Sequence, residues 1–310
     1  MTILIVSHPA ALAHDMGAGH PERPDRYRAV AHALGAPRFA DVLREDAPEA
    51  ALDVIARVHP AAYVEALREA APTHGHVALD ADTRMNPGTM EAALRGAGGA
   101  VAAVDAVMTG VARAAFVAMR PPGHHAERAT PMGFCFLNSA AIAARHAQAA
   151  HGASRVAIMD FDVHHGNGTQ DIFWRDATVM YASTHQMPLY PGSGATNETG
   201  AHDTIVNAPL RSGDGGAAFR AAMRDLVLPR LDAFAPDLVI ISAGFDAHHA
   251  DPLGGLMLDE TDFTWATQQL LDIAERHAGG RVVSVLEGGY DLKALATSAA
   301  AHVSALMGAG

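Results

Sequence analysis

The sequence predicts an α/β protein built on a central, mostly parallel sheet, and three observations carry that prediction. Short apolar runs of strand length, most of them rich in β-branched residues, alternate with longer Ala-rich stretches of helical length along the chain. Four of the apolar runs empty into ligand-type polar residues: His124 and His125, Asp162 and His164, Asp246, and Glu287-Gly288-Gly289-Tyr290. Open α/β sheets bind ligands beyond the carboxyl ends of their strands, so these four endings can share one crevice. No linker, repeat or low-complexity segment divides the 310 residues, which reads as a single domain over 1–310.

Taken in order, residues 1–6 are apolar and extended in character, and a Gly- and Pro-rich loop with His14 and His20 follows. Helices are expected at 25–34, 60–70, 87–108 and 139–150, with Ser139 as a capping candidate and glycines in the third allowing close packing. Strands are expected at 115–119, 155–159, 179–183, 204–208, 238–242 and 282–286, with helical stretches near 215–234 and 261–277.

Composition narrows the function classes. Hydrophobic content of 49% with 18% charged residues is ample for a globular core. A net charge of −12, with Lys293 the sole lysine, speaks against duplex nucleic acid as a partner, because no basic block exists to neutralise phosphates. The single cysteine, Cys135, excludes an intrachain disulfide. No run reaches the roughly 18 apolar residues of a membrane span, and residues 1–6 lack the basic flank of a signal peptide. The expectation is a soluble, cytoplasmic protein; homo-oligomerisation is neither required nor excluded.

The chemistry concentrates in Asp160-Phe161-Asp162-Val163-His164-His165-Gly166-Asn167-Gly168, directly after the apolar run 155–159. If the strand continues, alternation points Asp160, Asp162 and His164 to one face before Gly166 and Gly168 open a loop. Burying such a row is costly unless a divalent cation neutralises it; the bland reading is a solvated strand end. Asp246, after its own apolar run, supplies a third ligand. Asp162, His164 and Asp246 then suit Zn²⁺ or Fe²⁺ with open coordination positions. His124 and His125 are either further ligands or acid/base groups. Open coordination favours the second, with Asp160 orienting one of them. Tyr290, between glycines and helix-length sequence, is either a packed aromatic or a donor to a developing oxyanion. Metal, histidine base and tyrosine donor together describe hydrolysis of an amide or ester.

Ordered blocks across nearly the whole chain carry a resemblance: His20-Pro21-Glu22-Arg23-Pro24, Arg120-Pro121-Pro122-Gly123-His124-His125, Gly133-Phe134-Cys135-Phe136-Leu137-Asn138, the Asp160 segment through Gln170, Tyr190-Pro191-Gly192-Ser193-Gly194, 242–246, Asp251-Pro252-Leu253-Gly254-Gly255 and Glu287 to Tyr290. The chain resembles bacterial members of the histone deacetylase superfamily, in the class II and acetylpolyamine amidohydrolase branch. The resemblance implies a three-layer α/β/α arginase-deacetylase-like fold and a metal-dependent amidohydrolase, with Asp162, His164 and Asp246 as zinc ligands. It implies His125 as general base and acid, His124 as its electrostatic partner oriented by Asp160, and Tyr290 as the donor to the acetyl oxygen. Asn167 stands where some relatives have Asp behind the second histidine, which implies weaker polarisation of His125. A K⁺ ion is implied beside Asp160, Asp162, His164, Ser183 and Thr184. Gly133, Phe134, Tyr190 and Leu253 would line the substrate channel, and Arg23 would attend acetate exit.

Arginases share the fold but hold two metals, and this chain has Gly166 and His248 where the second would need carboxylates. The implied substrate is a small-molecule or peptide acyl amine. Leu253 leans towards acetyl-lysine or a neutral amide rather than an acetylated polyamine, although acidic residues of 80–84 could attract a distal ammonium. The non-enzyme alternative is a module that binds an acylated ligand without turnover.

Overall fold

The computed structural model describes residues 2–308. Its strands, in chain order, are β1 (Ile3–Ser7), β2 (Leu43–Asp46), β3 (Val77–Ala78), β4 (Arg84–Met85), β5 (Ala114–Val117), β6 (Val156–Asp160), β7 (Val179–Gln186), β8 (Ile205–Leu210), β9 (Leu238–Ala243) and β10 (Val282–Leu286). The helices are α1 (Asp25–Leu34), α2 (Leu52–Ile55), α3 (Ala61–Ala70), α4 (Thr89–Met108), α5 (Ser139–His151), α6 (Asn167–Phe173), α7 (Gly216–Ala222), α8 (Leu228–Phe234), α9 (Glu260–His277) and α10 (Leu292–Leu306).

Eight strands form one sheet in the order β2-β1-β5-β10-β9-β6-β7-β8, and every pairing in it is parallel. Strand alternation divides the core in two. Leu4, Val6, Val156 and Ile158 face a layer filled by α4 and α5, through Ala97, Ala100, Ile142 and Ala143. Ile3, Ile5, Ala157 and Met159 face the opposite layer, with Val30 of α1, Phe263 and Leu270 of α9 and Val303 of α10. This is the three-layer α/β/α arrangement. Small residues set its tight spacing: a Cβ on Gly98 of α4 would overlap the carbonyl oxygen of Pro48.

Element boundaries lie within about three residues of the sequence expectation where the pattern is apolar. Met1 of the expected first strand lies outside the described residues. Of the elements that the pattern did not announce, β2, β3, β4, α2, α6 and α10, two show why. The edge strand β2 is exposed throughout and carries Arg44, Glu45 and Asp46, so it has no buried face to leave a pattern. The helix α10 begins immediately after the glycine-rich Glu287–Tyr290 turn, where the Asp291 side chain accepts from the Ala294 amide as an N-cap. The stretch 216–234 is helical, but five residues, Met223–Val227, take the wider π register. Pro229 has no amide hydrogen to donate back towards Asp225, which accounts for the local change of register. Among the described residues no helix is long and apolar enough to cross a membrane.

Several histidines are structural. His302 is fully buried among Phe116, Phe161 and Phe245 and bonded to Thr267 (2.6 Å) and Ser284 (2.8 Å). Burial pushes it down to about 3, and burial likewise pushes His59 down to about 4. Both are neutral when folded and bind protons more readily when unfolded. Their stability contribution is therefore present above the unfolded pKa of about 6.5 and lost as pH falls from there towards 4, by about 1.4 kcal/mol per pH unit per histidine. Urea midpoints measured from pH 7.5 to pH 4.5 are expected to fall steeply below neutrality; a flat profile would contradict the buried neutral state.

Candidate active site

The strand β6 stops at Asp160, and the alternation expected to continue through His164 does not. Instead the chain folds on its own carboxylates. Asp160 Oδ1 accepts the Asp162 amide (3.1 Å), and Asp162 Oδ1 accepts the His164 amide (2.9 Å), two successive side-chain-to-backbone turns. The turns still bring Asp162 and His164 together with Asp246, which follows β9: one donor atom from each lies within 4.8 Å of the others, all three residues buried. Asp160 turns elsewhere, to His124 Nδ1 (3.0 Å) and the Tyr181 hydroxyl (3.2 Å). Residues 167 and 168, expected in a loop, form the first turn of α6.

Each ligand-type carboxylate is divided between backbone and cluster. Asp162 Oδ2 accepts the Gly288 amide and Asp246 Oδ1 the Val163 amide, each at 2.8 Å. Their other oxygens lie 3.1 Å from the same atom, His164 Nδ1. Glycine is required around them, since a Cβ on Gly244 or Gly288 would overlap these carboxylates. Burial, reinforced by Asp162, pushes Asp246 up to about 7. Against the effect of burial, the two carboxylates push His164 up to about 10. A site that borrows a proton to balance two buried carboxylates suits one divalent cation, and the two-oxygen, one-nitrogen donor set fits Zn²⁺ or Fe²⁺.

A second ligand-type cluster, Asp105 of α4 with His146 and His151 of α5, is satisfied without an ion. Both imidazole Nε2 atoms bond to Asp105 Oδ1, at 2.7 and 2.6 Å. Arg57 donates to His146 Nδ1 (3.4 Å), which leaves the His146 proton on Nε2 rather than a lone pair for a metal.

His124 and His125 follow β5 and differ sharply in charge. Although burial opposes it, Asp162 and Asp160 raise His124 well above the ordinary value. Burial, then the neighbouring His124 and His164, lower His125 well below it. The rings sit 4.0 Å apart. One histidine is thus held as a cation and its neighbour neutral, with His125 Nδ1 bonded to Asn167 Oδ1 at 2.8 Å.

His125, His164 and Tyr290 line a cavity of about 240 Å³ together with Asp82, Gly133, Phe134, Leu189, Tyr190 and Leu253. Gly133 (φ 56°) and Phe134 (φ 69°) both take the left-handed region. A Cβ at Gly133 would meet the His125 ring, and the strained Phe134 backbone turns its ring edge-on to Tyr290. Tyr190, over a third exposed, stands edge-on to His125 at the mouth. Asp251 holds both walls: its Oδ2 accepts the Tyr290 amide (2.6 Å) and its Oδ1 the Leu253 amide (3.0 Å). Burial keeps the Tyr290 hydroxyl well above its ordinary pKa, so it remains a donor. Ser183 bonds to His185 (2.8 Å), while the buried Thr184 hydroxyl has no partner among the described residues.

Arg26, which no sequence motif marked, is the arginine that reaches the site. Arg23 is partly exposed beside Asp25 and lines none of this cavity. Arg26, three residues on, is fully buried, lies 4.8 Å from the Tyr290 ring centroid and donates to the carbonyls of Gly289 (2.6 Å) and Glu287 (2.5 Å). Glu22 holds Arg26 (3.1 Å) and Arg120 (2.7 Å) in a fully buried network. The signal was available: Arg26, Val30 and Leu34 recur at four-residue spacing on the buried stripe of α1. Glu287 was likewise noted only as part of a motif; its Oε2 accepts the amides of Gly123 (2.6 Å) and His124 (3.1 Å).

Comparison with known proteins identifies the family. The histone deacetylase domain model matches residues 20–306. The chain is 42% identical over 278 residues to the histone deacetylase-like amidohydrolase of Pseudomonas aeruginosa, covering 88% of this chain and 73% of that one. It is 37% identical over 298 residues to a probable deacetylase of Archaeoglobus fulgidus, covering 93% and 81%. The crystal structure of the HDA15 HD domain superposes with a TM-score of 0.94 at 38% identity, over 99% of this chain and 88% of that one. The fold is therefore the arginase-deacetylase fold that the resemblance implied, and the chain belongs to the histone deacetylase family as a hydrolytic deacetylase.

Proposed function

We propose that the protein hydrolyses the amide of an N-acetylated alkyl amine, acetyl-lysine or a similar small acyl amide, to amine and acetate. The observation that carries the reading is that a three-ligand cluster, a neutral histidine and a protonated tyrosine meet at one narrow cavity. Zn²⁺, with Fe²⁺ as the alternative, would be held by Asp162, His164 and Asp246 and would supply Lewis-acid polarisation of the carbonyl and of a water. His125 takes the proton of the attacking water and returns it to the leaving amine. His124, cationic between Asp160 and Asp162, favours the negative charge that develops on the substrate. Tyr290 donates its hydroxyl to the carbonyl oxygen as that charge grows. Asp160, Asp162 and His164, with Ser183 and Thr184, would hold K⁺, and the buried Thr184 hydroxyl offers an oxygen towards it.

The cavity favours an alkyl chain between Phe134 and Tyr190, with apolar Leu253 at one side. Asp82 supports a second reading, acetylpolyamine hydrolysis, because it sets a carboxylate at the cavity where a distal ammonium would pass. Steady-state kinetics on acetyl-lysine peptides beside acetylated putrescine, cadaverine and spermidine separates the two. The leading reading expects the higher kcat/KM on acetyl-lysine, and a polyamine preference would replace it with the second. Asp82→Asn is expected to raise KM about 5-fold or more for cationic substrates, the worth of roughly 1 kcal/mol, and little for neutral amides. Equal effects on both would remove Asp82 from substrate recognition.

A further inference from the structure

Behind His125, the side chain of Asn167 links the ring to a carboxylate, Glu127, that lies outside the substrate cavity. Its Oδ1 faces His125 Nδ1 at 2.8 Å, while its Nδ2 donates to Glu127 Oε1 at 2.9 Å and approaches Met132 Sδ at 3.3 Å. An amide has two orientations of nearly equal shape and opposite chemistry. With Oδ1 towards the ring, His125 Nδ1 must carry the proton, and Nε2 presents a lone pair to the cavity. With Nδ2 towards the ring, Nδ1 must accept, the proton moves to Nε2, and the base is blocked. A carboxylate at Glu127 can only accept, so it selects the first orientation.

We propose that Glu127 is a positioning residue of the deacetylation: through Asn167 it fixes the tautomer of His125 and stabilises the imidazolium formed when His125 takes up a proton. This deepens the proposed hydrolytic role of the site and rests on it. The chain Nδ1–H···O=C–N–H···O⁻ polarises as the ring becomes cationic, so the remote carboxylate acts on the reacting state without touching substrate. Glu127 is free to take this role because it is itself only partly buried and borders a separate, solvent-open cavity with Asn167, Gln170 and Trp174.

The test is a mutant cycle on the metal-reconstituted enzyme, read by kcat and by ¹⁵N NMR of the His125 ring. Glu127→Ala is expected to lower kcat about 10-fold, the worth of one hydrogen bond to a charged group, with Glu127→Gln between it and the parent. The His125 resonances should shift from the Nδ1–H form towards a mixture. Asn167→Asp in the parent sets two carboxylates against each other and should also be slow. The double variant Glu127→Ala with Asn167→Asp should be faster than either single variant, because a carboxylate has no wrong orientation. Relief of charge repulsion alone would give the same rate reversal, so the tautomer decides: a merely structural Glu127 would leave the His125 ring in its Nδ1–H form in Glu127→Ala. Additive losses in the double variant, or an unchanged His125 tautomer in Glu127→Ala, would overturn the proposal. Absence of turnover in the parent enzyme would instead sink the hydrolytic reading, while the tautomer measurement still decided the role of Glu127.

Discussion

Replacing Asp246 by Ala is expected to abolish metal binding and deacetylation together. Asp246 is the proposed ligand that follows a different strand, β9, so its removal leaves only Asp162 and His164, two residues apart in one segment. The Val163 amide, which donates to Asp246 Oδ1, is left without its acceptor, so the turn that carries Val163 and His164 also loosens. Metal analysis and an assay on the same preparation check this. Retention of one metal equivalent with activity in Asp246→Ala would show that the ligand set lies elsewhere. Asp246→Asn separates charge from shape: it can still accept the Val163 amide but lacks the negative charge that a dication needs.

Tyr290→Phe is expected to behave differently, lowering kcat by about 10²-fold or more while metal content stays at the parent level, as loss of one oxyanion donor does. Its backbone amide is held by Asp251 Oδ2 and its ring lies against Arg26 and Phe134. Phe keeps both sets of contacts, so the loop and the fold should be unchanged. The effect should therefore fall on kcat rather than on KM, because the hydrogen bond strengthens as the carbonyl oxygen gains charge. Unchanged turnover would return Tyr290 to the role of a packed aromatic.

How much of this was legible in the sequence depends on whether a residue belongs to a periodic pattern. The buried strands and the ends that carry Asp162, His164, Asp246 and the histidine pair stand out because apolar runs stop abruptly at polar residues. The exposed β2 has no such contrast. Asp160 and Asp162 illustrate a subtler limit: their spacing suggested a shared strand face, but their own carboxylates captured the next backbone amides and ended the strand. The Asp162–His164 convergence survived because the turns, like the strand, bring alternate residues together. Arg23 and Arg26 show the opposite case, in which a motif drew attention to the partly exposed arginine while helical spacing marked the buried one. Glu127 acts from a loop through its hydrogen bond to Asn167, and nothing in local sequence separates such a carboxylate from a solvated one.

The proposed site holds one catalytic metal on Asp162, His164 and Asp246 beside His125 and Tyr290. Metal depletion and stepwise reconstitution with Zn²⁺, followed by hydrolysis of a fluorogenic acetyl-lysine substrate, tests it most directly. The expected result is an inactive depleted protein whose turnover rises in proportion to added metal and saturates at one equivalent per chain. Full activity in the depleted protein, or one bound equivalent with no turnover on any acyl amide, would contradict it.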